Sequence, residues 1–230
     1  MPGHILLEGG AEFGGRMALP DRRAMELAGG VDALIGIIPA AAAPDHNDHR
    51  AGENGRRWFR GLGARQVTVL ALTDRDSADA PRVVEAVREC RLIYMLGGFP
   101  HYLAQTLLGS RSWQAMLAAF EAGAVVGGSS AGAMVLCDYY FNPESSTVER
   151  GLNLVPGACV IPHFDTMGAR WLSRLATDLP QATLIGIDEQ TGLVSEGAPG
   201  QWKVYGKGRV SLHRKEAEAV YLPGEMFSYP

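Results

Sequence analysis

Short blocks of uninterrupted apolar residues alternate along this chain with longer amphipathic stretches. Ile5-Leu6-Leu7, Ala33 to Pro39 (ALIGIIP), Gln66 to Leu72 (QVTVLAL), Leu92 to Leu96 (LIYML) and Ala124 to Gly127 are blocks of the first kind. Continuous apolarity predicts strands covered on both faces, as in a parallel sheet layered between helices. The intervening segments Arg22 to Ala28, Gly52 to Leu62, Pro81 to Glu89, Tyr102 to Leu108 and Trp113 to Ala122 predict helices. Ala40 to His49 reads as a polar loop. Further along, Ala158 to Pro162 and Thr183 to Asp188 predict two more strands. Gly192 to Glu196, Gln201 to Tyr205, Arg209 to His213 and Ala219 to Leu222 predict a terminal β meander with Gly-rich turns. The alternation describes one α/β domain over residues 1–230 with a mostly parallel, doubly wound sheet. In such sheets ligands sit at the carboxyl ends of the strands.

Composition removes several classes of function. With 230 residues the chain can bury a substantial core, and 47% hydrophobic with 20% charged residues is ordinary for a globular protein. A net charge of -4 with no Lys/Arg cluster gives nucleic acid no phosphate-tracking face. No apolar run approaches the ~20 residues that span a bilayer. Met1-Pro2-Gly3-His4 lacks the basic start and apolar core of a secretory signal, so a cytoplasmic location is expected. Three scattered cysteines, Cys90, Cys137 and Cys159, read as small core residues rather than a disulfide framework.

The chemistry concentrates at Gly127-Gly128-Ser129-Ser130-Ala131-Gly132-Ala133, between a strand and a helix expected to continue through the apolar run Met134-Val135-Leu136-Cys137. A Gly-x-Ser-x-Gly corner exposes the Ser130 hydroxyl, and side chains at Gly128 or Gly132 would collide with the tight backbone. Such a turn can also simply cap a helix. A catalytic serine needs a base, usually a histidine oriented by a carboxylate. Of six histidines, His163 is the best placed, ending the strand Ala158 to Pro162. His101 follows the Gly97-Gly98 pair and is expected to line the pocket. His46 and His49, in Asp45-His46-Asn47-Asp48-His49, read as solvated loop residues, and no metal or other cofactor is expected. Glu189 is the leading orienting acid. Its neighbour Asp188 points to the opposite side if the strand alternation holds, and Asp165 and Asp138 are weaker candidates. The order serine, histidine, acid differs from the serine, acid, histidine order of α/β-hydrolases.

Together these segments resemble peptidase family S51, which includes dipeptidase E and cyanophycinase. The likeness rests on the Gly127–Ala133 elbow, on Leu96-Gly97-Gly98, and on Gly151-Leu152-Asn153-Leu154-Val155-Pro156-Gly157 leading to His163-Phe164. It extends to Gly186-Ile187-Asp188-Glu189-Gln190-Thr191-Gly192-Leu193 and Trp202 to Gly208, with a weaker echo in Leu6 to Gly10. The resemblance implies a three-layer α/β/α fold of the class I glutamine amidotransferase type. It also implies a metal-free serine peptidase acting on small aspartyl or β-aspartyl peptides, and a homodimer. Ser130 would be the nucleophile, His163 the base and Glu189 its orienting acid. The amides of Gly98 and Ala131 would stabilise the oxyanion. Phe99, His101, Ser129, Asp165, Arg170 and Arg174 are the pocket candidates, the two arginines as a grip for a substrate carboxylate. Where cyanophycinases carry Gly-Gly-Asp-Gln, this chain has Gly97-Gly98-Phe99-Pro100. Phe99, Pro100 and Ile161 therefore also fit a non-catalytic binding module on the same fold. An esterase using the same three residues is a third reading.

Overall fold

The computed structural model describes residues 3–215 and 217–229; Met1 and Pro2 of the N-terminal stretch, Glu216 and Pro230 lie outside them. Strands β1 (His4–Glu8), β2 (Leu34–Ile38), β3 (Gln66–Val69), β4 (Leu92–Met95) and β5 (Val125–Ser129) form where the apolar blocks predict them. They run parallel in the order β1-β5-β4-β2-β3. Helices α1 (Ala18–Leu27), α2 (Asp48–Gly61), α3 (Arg75–Asp79), α4 (Pro81–Glu89), α5 (Pro100–Leu107) and α6 (Arg111–Glu121) fill the connections.

Successive side chains on a strand point to opposite faces, so each buried strand feeds two cores. Leu6, Ile35, Ile37, Tyr94 and Val125 pack on one face with Met25 of α1 and Phe59 of α2. Ile5, Leu7, Ile93 and Val126 pack on the other with residues of α4, α6 and the short helix α7 (Ala131–Leu136). All six α7 residues are buried, and the core continues past them into a second sheet. That sheet contains β6 (Cys137–Asn142), β7 (Thr147–Arg150), β8 (Val155–Ile161), β9 (Thr183–Ile187), β12 (Val210–Arg214) and β13 (Ala217–Tyr221), in the order β13-β12-β9-β8-β6-β7. Between β8 and β9 lie a 3-10 turn at Gly168–Trp171 and helix α8 (Leu172–Asp178).

Three expectations need correction. The Ala40 to His49 segment is not a loop: Ala40–Asp45 is a 3-10 helix, and α2 begins at Asp48. Ala40, Ala41 and Ala42 are buried because the run lies against the Gly97-Gly98 turn, where the Ala41 carbonyl accepts the Phe99 amide at 2.8 Å. Only from Pro44 onward is the segment exposed and polar. The terminal strands are not one meander. Strands β10 (Thr191–Ser195), β11 (Gln201–Gly206) and β14 (Met226–Ser228) extend the first sheet beyond β1, each antiparallel to the strand before it in the sheet. Strands β12 and β13 instead join β9. The division falls at Gly206 (φ +109°), after which Arg209 bonds both ways with Asp188 at the end of β9. Finally, the helix after Ser130 stops at Leu136, and Cys137 opens β6, a strand that the apolar run concealed. Cys90, Cys137 and Cys159 are buried free thiols, as expected, and burial raises the pKa of each. Among the described residues no helix is long and apolar enough to cross a membrane.

Candidate active site

Ser130 sits between β5 and α7 with φ +48° and ψ -109°, a conformation that costs a non-glycine residue about 1–3 kcal/mol. Hydrogen bonds at both ends hold it there. Its amide donates to the Glu8 carbonyl at 3.0 Å, and its carbonyl accepts the Met134 amide at 2.9 Å. The corner also needs its glycines: a Cβ on Gly128 would lie 2.7 Å from the Met95 carbonyl oxygen, and one on Gly132 only 2.3 Å from it.

His163 follows β8, with its amide donating to the Gly9 carbonyl at 2.7 Å. Its Nε2 is 3.1 Å from Ser130 Oγ, and its Nδ1 is 2.8 Å from Glu189 Oε1. An ionised carboxylate only accepts, so Nδ1 carries the proton and the Nε2 lone pair faces the serine hydroxyl. Glu189, just beyond β9, is fixed through its backbone, its amide donating to Asp165 Oδ1 at 2.9 Å. The next amide, Gln190, donates to the Gly10 carbonyl at 3.2 Å. The Gly9-Gly10 turn thus fastens the His163 and Glu189 segments together.

Asp188 is buried and turned away, its Oδ2 accepting the Arg209 amide at 3.0 Å, and burial raises its pKa. Asp138 pairs with Arg150. Gly98 (φ +139°) presses on Ala41, and neither its amide nor that of Ala131 donates to a group among the described residues. Of the pocket candidates, Ser129 is buried beside Ser130, and Phe99 is half-buried at the start of α5. His101 is held instead by the Tyr140 hydroxyl at 2.9 Å. Arg170 is exposed against the Trp171 ring, and Arg174 is exposed and paired with Asp178 at 3.3 Å. Ile161 is fully buried in the core rather than lining the site. His46 and His49 are exposed, and among the described residues no three His, Cys, Asp or Glu side chains could hold a metal.

Two residues at the site were not anticipated. A Cβ on Gly10 (φ +120°) would lie 2.2 Å from His163 Cε1. Glu12, from the same loop, accepts the Gly97 amide at 3.4 Å. Burial raises its pKa, partly offset by the Ser129 hydroxyl, the Gly97 amide and the nearby His163. The loop follows the carboxyl end of β1, and the rule that singled out Ser130 and Gly98 applies equally to it. Deeper in the domain, the carboxyls of Glu8 and Asp21 are fully buried. Glu8 takes the Tyr94 hydroxyl, and Asp21 takes the Trp58 indole N–H at 2.7 Å. Burial, reinforced by the proximity of the pair, raises the Glu8 pKa strongly, and burial raises that of Asp21. Their remaining oxygens, Glu8 Oε1 and Asp21 Oδ1, are buried without a hydrogen-bond partner, which favours the protonated acids over the charged carboxylates.

An α/β fold that presents a serine at a strand-to-helix corner, in reach of a histidine and a carboxylate, defines a serine hydrolase. The chain belongs to peptidase family S51, whose sequence model matches residues 5–201. It is 32% identical over 225 residues to the cyanophycinase of Synechococcus elongatus, covering 91% of this chain and 67% of that protein. It is also 32% identical over 222 residues to the cyanophycinase of Geminocystis herdmanii, covering 90% of this chain and 79% of the other. A crystal structure of a peptidase from an acI-B1 Actinobacterium superposes with a TM-score of 0.89 at 31% identity, over 100% of this chain and 98% of that one. A putative peptidase E from Listeria monocytogenes EGD-e, 16% identical with a TM-score of 0.65 over 90% of this chain and 100% of its own, shares the fold.

Proposed function

We propose that this S51 hydrolase is a serine peptidase for small peptides, aspartyl or β-aspartyl by resemblance to dipeptidase E and cyanophycinase, using Ser130, His163 and Glu189. The supporting observation is the unbroken chain from Ser130 Oγ through His163 to Glu189, with links of 3.1 and 2.8 Å. Ser130 attacks the scissile carbonyl as His163 Nε2 takes its proton. The imidazolium then protonates the leaving amine, and a water deprotonated by the same nitrogen hydrolyses the acyl-enzyme. Glu189 fixes the tautomer and stabilises the imidazolium. The free amides of Gly98 and Ala131 receive the oxyanion, where losing one such donor costs about 3 kcal/mol.

The test is labelling with a fluorophosphonate, a reagent that modifies only activated serines. One adduct on Ser130, lost in Ser130→Ala and slowed by orders of magnitude in His163→Ala, is expected. Hydrolysis of aspartyl or β-aspartyl dipeptides by the wild type and not by Ser130→Ala completes the assignment. A folded protein that takes no label refutes it and favours a binding module. Labelling with turnover of esters but of no peptide favours an esterase.

A further inference from the structure

Glu12 takes no part in the mechanism above, yet its carboxylate stands at the nucleophile. From the point where a Cβ on Gly97 would sit, Glu12 Oε2 is 3.0 Å away and Ser130 Cβ 3.4 Å. A carboxylate there opposes the reaction on electrostatic grounds, because the tetrahedral intermediate places a second negative charge within a few ångströms. It is also unpaired: among the described residues no lysine or arginine forms a salt bridge with it. The β1 loop nevertheless holds it in place, with Gly10, Ala11 and Phe13 all at positive φ. Glu12 also lines a cavity of about 560 Å³, walled by Phe13 and Trp58 and by Asn47 and Asn54. Arg57, at the same cavity, donates to Asn54.

A half-buried carboxylate at a cavity with two aromatic walls is a receptor for a cation. On a peptide whose carbonyl Ser130 attacks, the α-nitrogen of the attacked residue is two bonds from the carbonyl carbon. Glu12 Oε2 and Ser130 Cβ, 3.0 and 3.4 Å from one point beside Gly97, are close enough together for one residue to reach both. We infer that Glu12 binds the free α-ammonium of the substrate, so that the site takes peptides by their first residue and cuts after it. The inference rests on the hydrolase reading and deepens it. The bound ammonium neutralises Glu12 as the oxyanion forms, and an N-acylated or internal residue leaves the carboxylate without a cationic partner beside the oxyanion. Glu12 thereby selects for amino-terminal exopeptidase action.

The test uses the intact protein and two phosphonates that differ only in the amine: diphenyl (1-aminoethyl)phosphonate and its N-acetyl derivative. Rates of Ser130 phosphonylation are divided by the rate of a plain fluorophosphonate on the same variant, so a general change in Ser130 reactivity cancels. The wild type is expected to react about 10-fold or more faster with the free amine, the size of one charged hydrogen bond. In Glu12→Gln the ratio should fall to about one. The inference is overturned if the ratio survives in Glu12→Gln. It is equally overturned if the wild type shows no preference, or if the free amine fails to label a serine that fluorophosphonate labels. A Ser130 inert to fluorophosphonate removes the hydrolase reading itself, and this inference with it.

Discussion

Replacing Gly10 by alanine should displace the His163 ring while leaving Ser130, His163 and Glu189 themselves unsubstituted. The added Cβ would lie 2.2 Å from His163 Cε1 and 2.7 Å from each ring nitrogen. To restore an ordinary contact near 3.4 Å the imidazole must retreat by more than an ångström. The His163–Ser130 link, 3.1 Å at rest, then exceeds hydrogen-bond range. A 1 Å misplacement typically costs about 10²-fold in rate, equivalent to roughly 2.7 kcal/mol. The backbone adds strain of about 1–3 kcal/mol, because φ +120° suits only glycine. Gly29→Ala is the matched control: φ is +113° and nothing lies within 4 Å of the new Cβ. Fluorophosphonate labelling of Ser130, timed by intact mass, should fall about 10²-fold in Gly10→Ala and stay at the wild-type rate in Gly29→Ala. Both variants should lose comparable thermal stability in calorimetry. A Gly10→Ala protein that labels within about threefold of wild type would refute the reasoning, since the ring would then not stand where its contacts place it.

Three further outcomes follow from the same geometry. Gly98→Ala, whose Cβ would lie 2.2 Å from the Ala41 carbonyl oxygen at φ +139°, should displace the amide we assign to the oxyanion and cut dipeptide turnover by about 10²–10³-fold; near-normal turnover would overturn that assignment. Glu189→Gln should slow Ser130 labelling by at least about 10²-fold while Asp188→Asn does not, and the reverse order would reassign the orienting acid. Protons held by Glu8 and Asp21 in the folded state and released on unfolding make stability decrease as pH rises above about 4, the unfolded carboxylate range, toward neutrality. Urea midpoints at pH 5 and pH 8 should therefore converge in Asp21→Asn relative to wild type, and parallel shifts would show that the pair holds no extra proton.

The sequence by itself determined what depends on neighbours along the chain. Uninterrupted apolar blocks defined the central strands because burial on both faces leaves no polar position. Gly128 and Gly132 were legible because a strand-to-helix corner crowds its own backbone. The candidacy of Ser130, His163 and Glu189 was legible because each follows a strand. What only the tertiary structure decided involves partners far apart in the chain. Alternation set Asp188 and Glu189 on opposite sides, but their bonds to Arg209 and to His163 settled which side faces the histidine. Strands β10 to β13 have similar patterns, so their division between two sheets rests on pairing with β1 and β9. Ala40 to Ala42 looked like loop until packing against the Gly97-Gly98 turn buried them. Gly10 and Glu12 acquire meaning only because β1 runs beside β5, bringing their loop to His163, Gly97 and Ser130. A local pattern records which face of an element is buried; it does not record which distant residue meets that face.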